Sequence, residues 1–197
     1  MITEAHSIKK ADLGQDSNAQ EQSLRFRQIH LDFHTSGAID GVGSSFDKRH
    51  FQETLARAAV NSVTCFATCH HGWSYYDTKV GTRHPGLSFD LLRAQYDACK
   101  EAGINVPIYL TVGVNNLAAD EHPEWRCMDA EGRFSGWCTS DLSPGFKMMS
   151  FFSPYMDHLC DQIKEVMELY PEADGLFFDI INQPEDCSMW ALQHMKE

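Results

Sequence analysis

Three groups of ionisable residues have the types and spacing that chemistry needs, and the first lies in the segment RQIHLDFH (27–34). His30, Asp32 and His34 alternate with apolar residues, so in a strand their side chains project from the same face. In one interpretation, these three side chains are structural: they hydrogen-bond to one another inside a barrel, or they lie at a strand end that reaches water. The other places His34, nearest the carboxyl end, at the mouth of a site.

The second group is CHHGW (69–73), which directly follows the apolar segment 62–68. In α/β proteins, ligands bind beyond the carboxyl ends of the strands. Two adjacent histidines at this point, His70 and His71, can donate hydrogen bonds to neighbouring hydroxyls, and Trp73 can stack on the face of a sugar. A single histidine is more often structural, but a pair in this position favours a binding role.

The third group is one carboxylate, Asp179, in the otherwise apolar segment LFFDII (176–181). Burying an unpaired carboxylate is costly, so this side chain is either paired in the core or placed at the mouth of a strand. At the mouth it can act as a nucleophile or general base, because glycoside hydrolysis needs carboxylates that flank the anomeric carbon. The long segment 113–152 adds Trp125 and Trp137, which either line a sugar subsite or pack the segment onto the fold.

A metal centre is an open alternative, because four of these histidines and Asp179 would suffice as zinc ligands. However, the first segment reads HxDxH rather than the HxH pair of barrel amidohydrolases. The sequence also contains no GxGxxG or GxxxxGK[ST] phosphate loop and no GxSxG nucleophile elbow. We therefore expect neither a metal nor a nucleotide cofactor.

Alternating strands and helices must position these groups. The predicted strands cover 27–34, 62–68, 106–112 and 175–181, and the predicted helices cover 46–59, 89–102 (capped by Ser88), 155–169 and 188–196. This alternation is typical of parallel βαβ units. Both a doubly wound open sheet and a (β/α)8 barrel fit, but a barrel needs eight units and about 250 residues. The pattern alone therefore favours a small open sheet.

Composition limits the classes of molecule that the protein is expected to bind. The net charge of −12 disfavours nucleic acid and anionic membrane surfaces, whereas a neutral sugar meets no electrostatic penalty. The sequence has no run of 18 apolar residues, so it predicts no transmembrane helix. We expect residues 1–24 to be a mobile leader. Seven scattered cysteines without a CxxC pair predict reduced thiols and a cytoplasmic location.

Five motifs, taken in order, resemble a known family: HLDFHTS (30–36), SVTCFATCHHGWSYYDTKVG (62–81), HPEWR (122–126), SPY (153–155) and DGLFFDI (174–180). They are similar to hypothetical glycosyl hydrolases, α-amylase-like barrels often fused to a β-galactosidase-type trimerisation domain, and more distantly to α-L-fucosidases. The resemblance covers residues 25 to about 185. It departs from the fucosidase pattern where Gly72 directly follows the histidines and where Trp73 replaces a phenylalanine.

The resemblance implies an α/β fold, the N-terminal half (about four βα units) of a TIM (β/α)8 barrel over residues 25–197, in a truncated retaining glycoside hydrolase. Asp179 is then the expected nucleophile, and the expected substrate-binding residues are His30, Asp32, His34, His70, His71, Trp73 and Trp125. The substrate is an oligosaccharide or glycoside, with α-L-fucosidase-like or β-galactosidase-like specificity. The alternatives are a non-catalytic carbohydrate-binding remnant and a metal-dependent hydrolase that uses the histidine cluster.

The resemblance also places the general acid/base beyond the fourth strand, so we expect the chain alone to show little turnover. A half-barrel leaves two edge strands unpaired, which favours self-association into a homo-oligomer.

Overall fold

A computed structural model describes residues 24–137 and 145–196, so the predicted leader, residues 1–24, lies outside the described residues apart from Leu24. The strands are β1 (Gln28–His30), β2 (Ser62–Phe66), β3 (Trp73–Ser74), β4 (Thr82–Arg83), β5 (Pro107–Thr111), β6 (Gly136–Trp137), β7 (Phe146–Lys147) and β8 (Gly175–Asp179). The helices are α1 (Lys48–Arg57), α2 (Leu91–Glu101), α3 (Asn116–Glu121), α4 (Tyr155–Leu169) and α5 (Met189–His194), with a 3₁₀ turn at Pro123–Trp125.

The main sheet has four parallel strands in the order β1-β2-β5-β8. Helices α1, α2 and α4 lie between consecutive strands of this sheet along the chain. The predicted α/β architecture of about four parallel βα units is confirmed. Within the described residues the sheet is open, with β1 and β8 at its two edges.

The two faces of this sheet differ in chemistry because side chains alternate along each strand. One face packs on the helices through aliphatic residues such as Val63 and Leu110, which are almost fully buried against Leu92 and Val166. The opposite face carries the rings of His30, Phe66, Tyr109 and Phe177, in which the centroids of contacting rings lie 3.8–5.7 Å apart.

The N-termini of α1 and α2 differ from the sequence prediction, and an aspartate side chain caps each of them. The expected cap Ser88 is wrong, because Asp90 accepts a hydrogen bond from the Arg93 amide at 2.7 Å and α2 begins at Leu91. Asp47 caps α1 in the same way, with the His50 amide as donor. A charged acceptor within reach of the helix N-terminus satisfies unpaired amides and is favoured by the helix dipole.

The described parts of the segment 113–152, residues 113–137 and 145–152, contain short elements where the sequence predicts one long loop. Asn115 caps α3 by accepting from the Ala118 amide, and the 3₁₀ turn follows directly. Further on, β6 and β7 pair antiparallel, and the Asn116 side chain ties β7 to α3 through the Lys147 amide. These elements have two to six residues each, too few for a periodic pattern to show in the sequence.

Two further observations concern the surface. No helix among residues 24–137 and 145–196 is long and apolar enough to cross a membrane. The edge strand β8 leaves Phe177 and Phe178 40% and 42% exposed. Large apolar side chains on an unpaired strand edge are the kind of surface that normally packs against further structure.

Candidate active site

The candidate site lies at the carboxyl ends of the four parallel strands. Asp179 is the last residue of β8 and pairs in register with Thr111, the last residue of β5. His70 lies four residues beyond the end of β2, and His34 lies four residues beyond the end of β1. The first strand is shorter than predicted, so Asp32 and His34 lie in the segment after it. In α/β folds this edge of the sheet is where ligands bind.

The Asp179 carboxylate is held by two donors. The Tyr109 hydroxyl donates to Oδ2 at 2.6 Å, and the Ile180 amide donates to Oδ1 at 2.9 Å. Ile180 has a positive φ of 55°, and its carbonyl oxygen lies 2.1 Å from where a Cβ on Gly113 would be. The turn after β8 therefore depends on a glycine in the neighbouring strand connection. The Asp179 side chain stays 34% exposed and accessible to a ligand.

The His70 ring is hydrogen-bonded at one nitrogen and faces Asp179 with the other. Its Nδ1 lies 2.6 Å from the Thr111 hydroxyl, a much shorter contact than the 3.4 Å from that hydroxyl to the Val114 carbonyl. Because Nε2 faces the Asp179 carboxylate, the ring proton is assigned to Nε2, and Nδ1 then accepts a hydrogen bond from the Thr111 hydroxyl. Nε2 lies 3.7 Å from Asp179 Oδ2 and faces the carboxylate. Burial, aided by the neighbouring His34, lowers the pKa of His70 to about 4.

His34 stacks on His70 with ring centroids 3.8 Å apart. Its Nδ1 accepts a hydrogen bond from the His70 backbone amide at 3.1 Å, and its Nε2 lies 2.8 Å from Asp32 Oδ1. Both ring nitrogens are thus engaged, while the Asp32 side chain is 72% exposed. Burial lowers the pKa of His34 despite the nearby carboxylates, and burial also lowers the pKa of His71. All three imidazoles are neutral near pH 7.

The short β6–β7 pair supplies an aromatic wall. The Phe146 ring lies 4.8 Å from His70 and 5.2 Å from His71 in edge-to-face geometry. The Trp137 ring lies 6.0 Å from both His70 and Phe146 and is 43% exposed. A half-exposed indole beside hydrogen-bonding side chains is suited to stacking on a sugar ring.

The structure brings together six of the eight predicted site residues: His30, Asp32, His34, His70, His71 and Asp179. The two tryptophans lie elsewhere. Trp73 packs over Gly37 and beside His84, and Trp125 stacks on His122 at 3.8 Å. Within the described residues neither indole has a ring contact with the histidines of the site.

Sequence reasoning missed Tyr109 and Thr111, which contact Asp179 and His70 directly. The sequence does indicate that Tyr109 and Thr111 share one face of the third strand, because they are two residues apart in PIYLT (107–111). In the described part of the chain, no group of three or more His, Cys, Asp or Glu side chains is arranged to hold a metal ion.

Comparison with known proteins identifies a family and similar folds. Residues 47–180 match the family model described as hypothetical glycosyl hydrolase 6. The structure is similar to that of α-L-fucosidase isoenzyme 2 from Paenibacillus thiaminolyticus, with 42% identity, a TM-score of 0.83, and coverage of 88% of this chain and 26% of that chain. The chain therefore spans about a quarter of the length of this relative. No curated protein matches the chain.

Two more distant structures share the fold. A hypothetical protein from Ruminiclostridium thermocellum ATCC 27405 is 16% identical, with a TM-score of 0.53 and coverage of 80% of this chain and 77% of that chain. The α-L-fucosidase isoenzyme 1 from Paenibacillus thiaminolyticus is 17% identical, with a TM-score of 0.52 and coverage of 80% of this chain and 36% of that chain.

Proposed function

Because the chain belongs to the hypothetical glycosyl hydrolase 6 family, we propose that it is the nucleophile-bearing part of a retaining glycoside hydrolase. The observation that carries this proposal is the placement of Asp179. Its carboxylate ends a parallel strand, is oriented by two hydrogen-bond donors, and remains a third exposed beside neutral imidazoles. A retaining enzyme needs such a carboxylate to attack the anomeric carbon.

In the proposed reaction, an oxygen of Asp179 attacks the anomeric carbon while the bond from that carbon to the leaving oxygen breaks. The product is a glycosyl ester on Asp179, which water then hydrolyses with retention of configuration. The Nε2–H of His70 and the ring of His71 donate hydrogen bonds to sugar hydroxyls, and the exposed oxygen of Asp32 accepts one. Stacking on the sugar is assigned to Trp137, because Trp73 and Trp125 lie away from the histidines.

The leaving oxygen must also be protonated, and the proposal assigns the general acid/base to structure beyond these 197 residues. The comparison with the α-L-fucosidase supports this assignment, because the present sequence covers only 26% of that chain. Loss of general acid catalysis lowers rates by about 10²- to 10⁴-fold, so the chain alone should turn over ordinary glycosides poorly. Because the relative at 42% identity is named an α-L-fucosidase, fucosides are the first substrates to test, and galactosides the second.

The proposal also includes a cytoplasmic location. The six cysteines within the described residues are free thiols, which is the state that a reducing compartment maintains.

The test uses substrates that need no general acid. 2-Deoxy-2-fluoro glycosyl fluorides of the L-fucose and D-galactose configurations carry a leaving group that departs without protonation, and they form long-lived glycosyl esters. Intact-mass spectrometry should show one added sugar on the chain, and peptide mapping should place it on Asp179. Asp179→Asn should abolish labelling, whereas Glu185→Gln, which alters an exposed carboxylate six residues away, should leave it unchanged.

A carbohydrate-binding protein without catalytic activity is the second candidate, because the histidines, Asp32 and Trp137 alone would suffice for binding. It predicts that these sugars perturb the NMR signals of His70 and His71 without ever forming an ester. Binding without labelling, or labelling that persists in Asp179→Asn, would contradict the catalytic proposal.

A further inference from the structure

The buried tyrosine on the aromatic face of the sheet has a role that the proposed mechanism does not yet use. Tyr109 is fully buried, and its ring stacks on Phe66 with centroids 3.8 Å apart and planes 10° apart. On the other side its ring lies 5.7 Å from that of Phe177 at 20°. Two parallel ring neighbours fix the plane of the phenol and therefore the position of its hydroxyl.

The register of the sheet aims this hydroxyl at Asp179. Tyr109 pairs with Phe177, and Thr111 pairs with Asp179, so Tyr109 and Asp179 are diagonal neighbours on one face. The resulting 2.6 Å contact to Oδ2 has the length expected of a charge-assisted hydrogen bond from a hydroxyl to a carboxylate. The contact therefore follows from the backbone pairing and does not depend on a mobile loop.

We infer that Tyr109 is the positioning residue for the Asp179 nucleophile, an inference that rests on the proposed function. Without the phenol, the Ile180 amide on Oδ1 is the carboxylate's nearest fixed donor, and rotation about the Cβ–Cγ bond becomes freer. With both donors in place, the plane of the carboxylate is fixed before the sugar arrives. A fixed nucleophile speeds the attack on the anomeric carbon and has little effect on sugar affinity.

The Tyr109 phenol can donate this hydrogen bond at any pH at which the protein stays folded. Burial, together with the hydrogen bond to Asp179, raises the pKa of Tyr109 well above the ordinary value for tyrosine. It therefore stays protonated and always donates, so the carboxylate does not face a second negative charge.

Tyr109→Phe tests the inference, because it keeps the stacked ring and removes only the hydroxyl. The chain also offers a matched control in Tyr76→Phe. Tyr76 is equally buried, and its hydroxyl donates to a carboxylate oxygen of Glu165 at 2.8 Å on the helix side of the sheet. Both variants lose a partly buried phenol–carboxylate hydrogen bond, but only one of these bonds involves the nucleophile.

The measurement is the rate of labelling by the 2-fluoro glycosyl fluoride as a function of its concentration, followed by intact mass. In Tyr109→Phe, we expect a maximal labelling rate about 10- to 100-fold lower, because a hydrogen bond to a charged group is lost. The half-saturating concentration should change by less than about threefold, because the contact positions the nucleophile without touching the sugar. Tyr76→Phe should label at the wild-type rate even if its melting temperature falls.

The ¹³Cζ chemical shift of labelled Tyr109, measured near neutral pH, supplies a readout independent of activity. This signal should move in Asp179→Asn, because the phenol then donates to a neutral amide oxygen and no longer to a carboxylate. Equal labelling rates in wild type and Tyr109→Phe would overturn this inference and leave the proposed function intact. If the wild type is never labelled while the ¹³Cζ shift of Tyr109 still depends on Asp179, the proposed function fails, and the positioning role fails with it.

Discussion

Acidification should destabilise this fold through His70. Its side chain is 7% exposed, and burial lowers its pKa to about 4 in the folded state, against 6.5 for an ordinary histidine. When the pH lies between these two values, the His70 ring therefore binds a proton in the unfolded chain but not in the folded chain. Stability from the neutral imidazole is fully present above about pH 6.5 and is lost as the pH falls toward about 4.

The magnitude follows from the size of the shift. A full difference of about 2.5 pKa units corresponds to about 3 kcal/mol once both states are protonated. Between about pH 7.5 and pH 5, where the unfolded state is mostly protonated and the folded state is not, the loss is about 2 kcal/mol. The nearby charges oppose one another, since Asp179 and Asp32 raise the pKa while His34 and His71 lower it.

His70→Gln isolates this contribution, because an amide can still bond with the Thr111 hydroxyl but does not titrate. Urea unfolding at about pH 7.5 and pH 5 should show that the wild type loses about 2 kcal/mol more than the variant, even though His34 and His71 add their own losses to both proteins. An NMR titration of the His70 ring should give the midpoint directly. Equal losses in the two proteins, or a midpoint near 6.5, would refute the reasoning.

Two further predictions concern the geometry around the nucleophile and the sugar. Gly113→Ala should lower stability by about 1–3 kcal/mol and slow labelling, because the new Cβ would meet the Ile180 carbonyl oxygen at 2.1 Å; an unchanged urea midpoint would mean that this turn moves freely. Trp137→Ala should weaken the binding of the fluoro sugar about 3- to 10-fold through lost stacking, and Trp125→Ala should not. Calorimetric titration of Asp179→Asn carrying each change measures this, and equal losses in both would contradict the assignment.

Much of the layout could be predicted from the sequence because it depends on local patterns. Short apolar segments separated by amphipathic helices indicate parallel strands, and polar residues just after those segments mark one edge of the sheet. Asp179, His70 and His71 were predicted on this basis, and the structure places them together. Their chemical roles remain predictions.

Individual contacts could not be predicted, because they depend on the register between strands and on the paths of short segments. The hydrogen bond from Tyr109 to Asp179 exists only in the register that pairs Tyr109 with Phe177. His34 was expected to bind a sugar hydroxyl, yet its two nitrogens are engaged by the His70 amide and by Asp32. Trp137 reaches the site through a strand of two residues, which no periodicity reveals.

The protonation states of the cluster suit one kind of transition state. Two carboxylates, Asp32 and Asp179, lie among imidazoles that burial keeps neutral near pH 7, so the described site carries a net negative charge. Positive charge develops at the anomeric carbon as a glycosidic bond breaks, and fixed negative charge in a partly desolvated site stabilises it. A protonated histidine beside Asp179 would cancel that effect. In the proposed reaction, the burial that lowers stability in acid through His70 therefore also leaves the negative charge beside the anomeric carbon uncancelled near neutral pH.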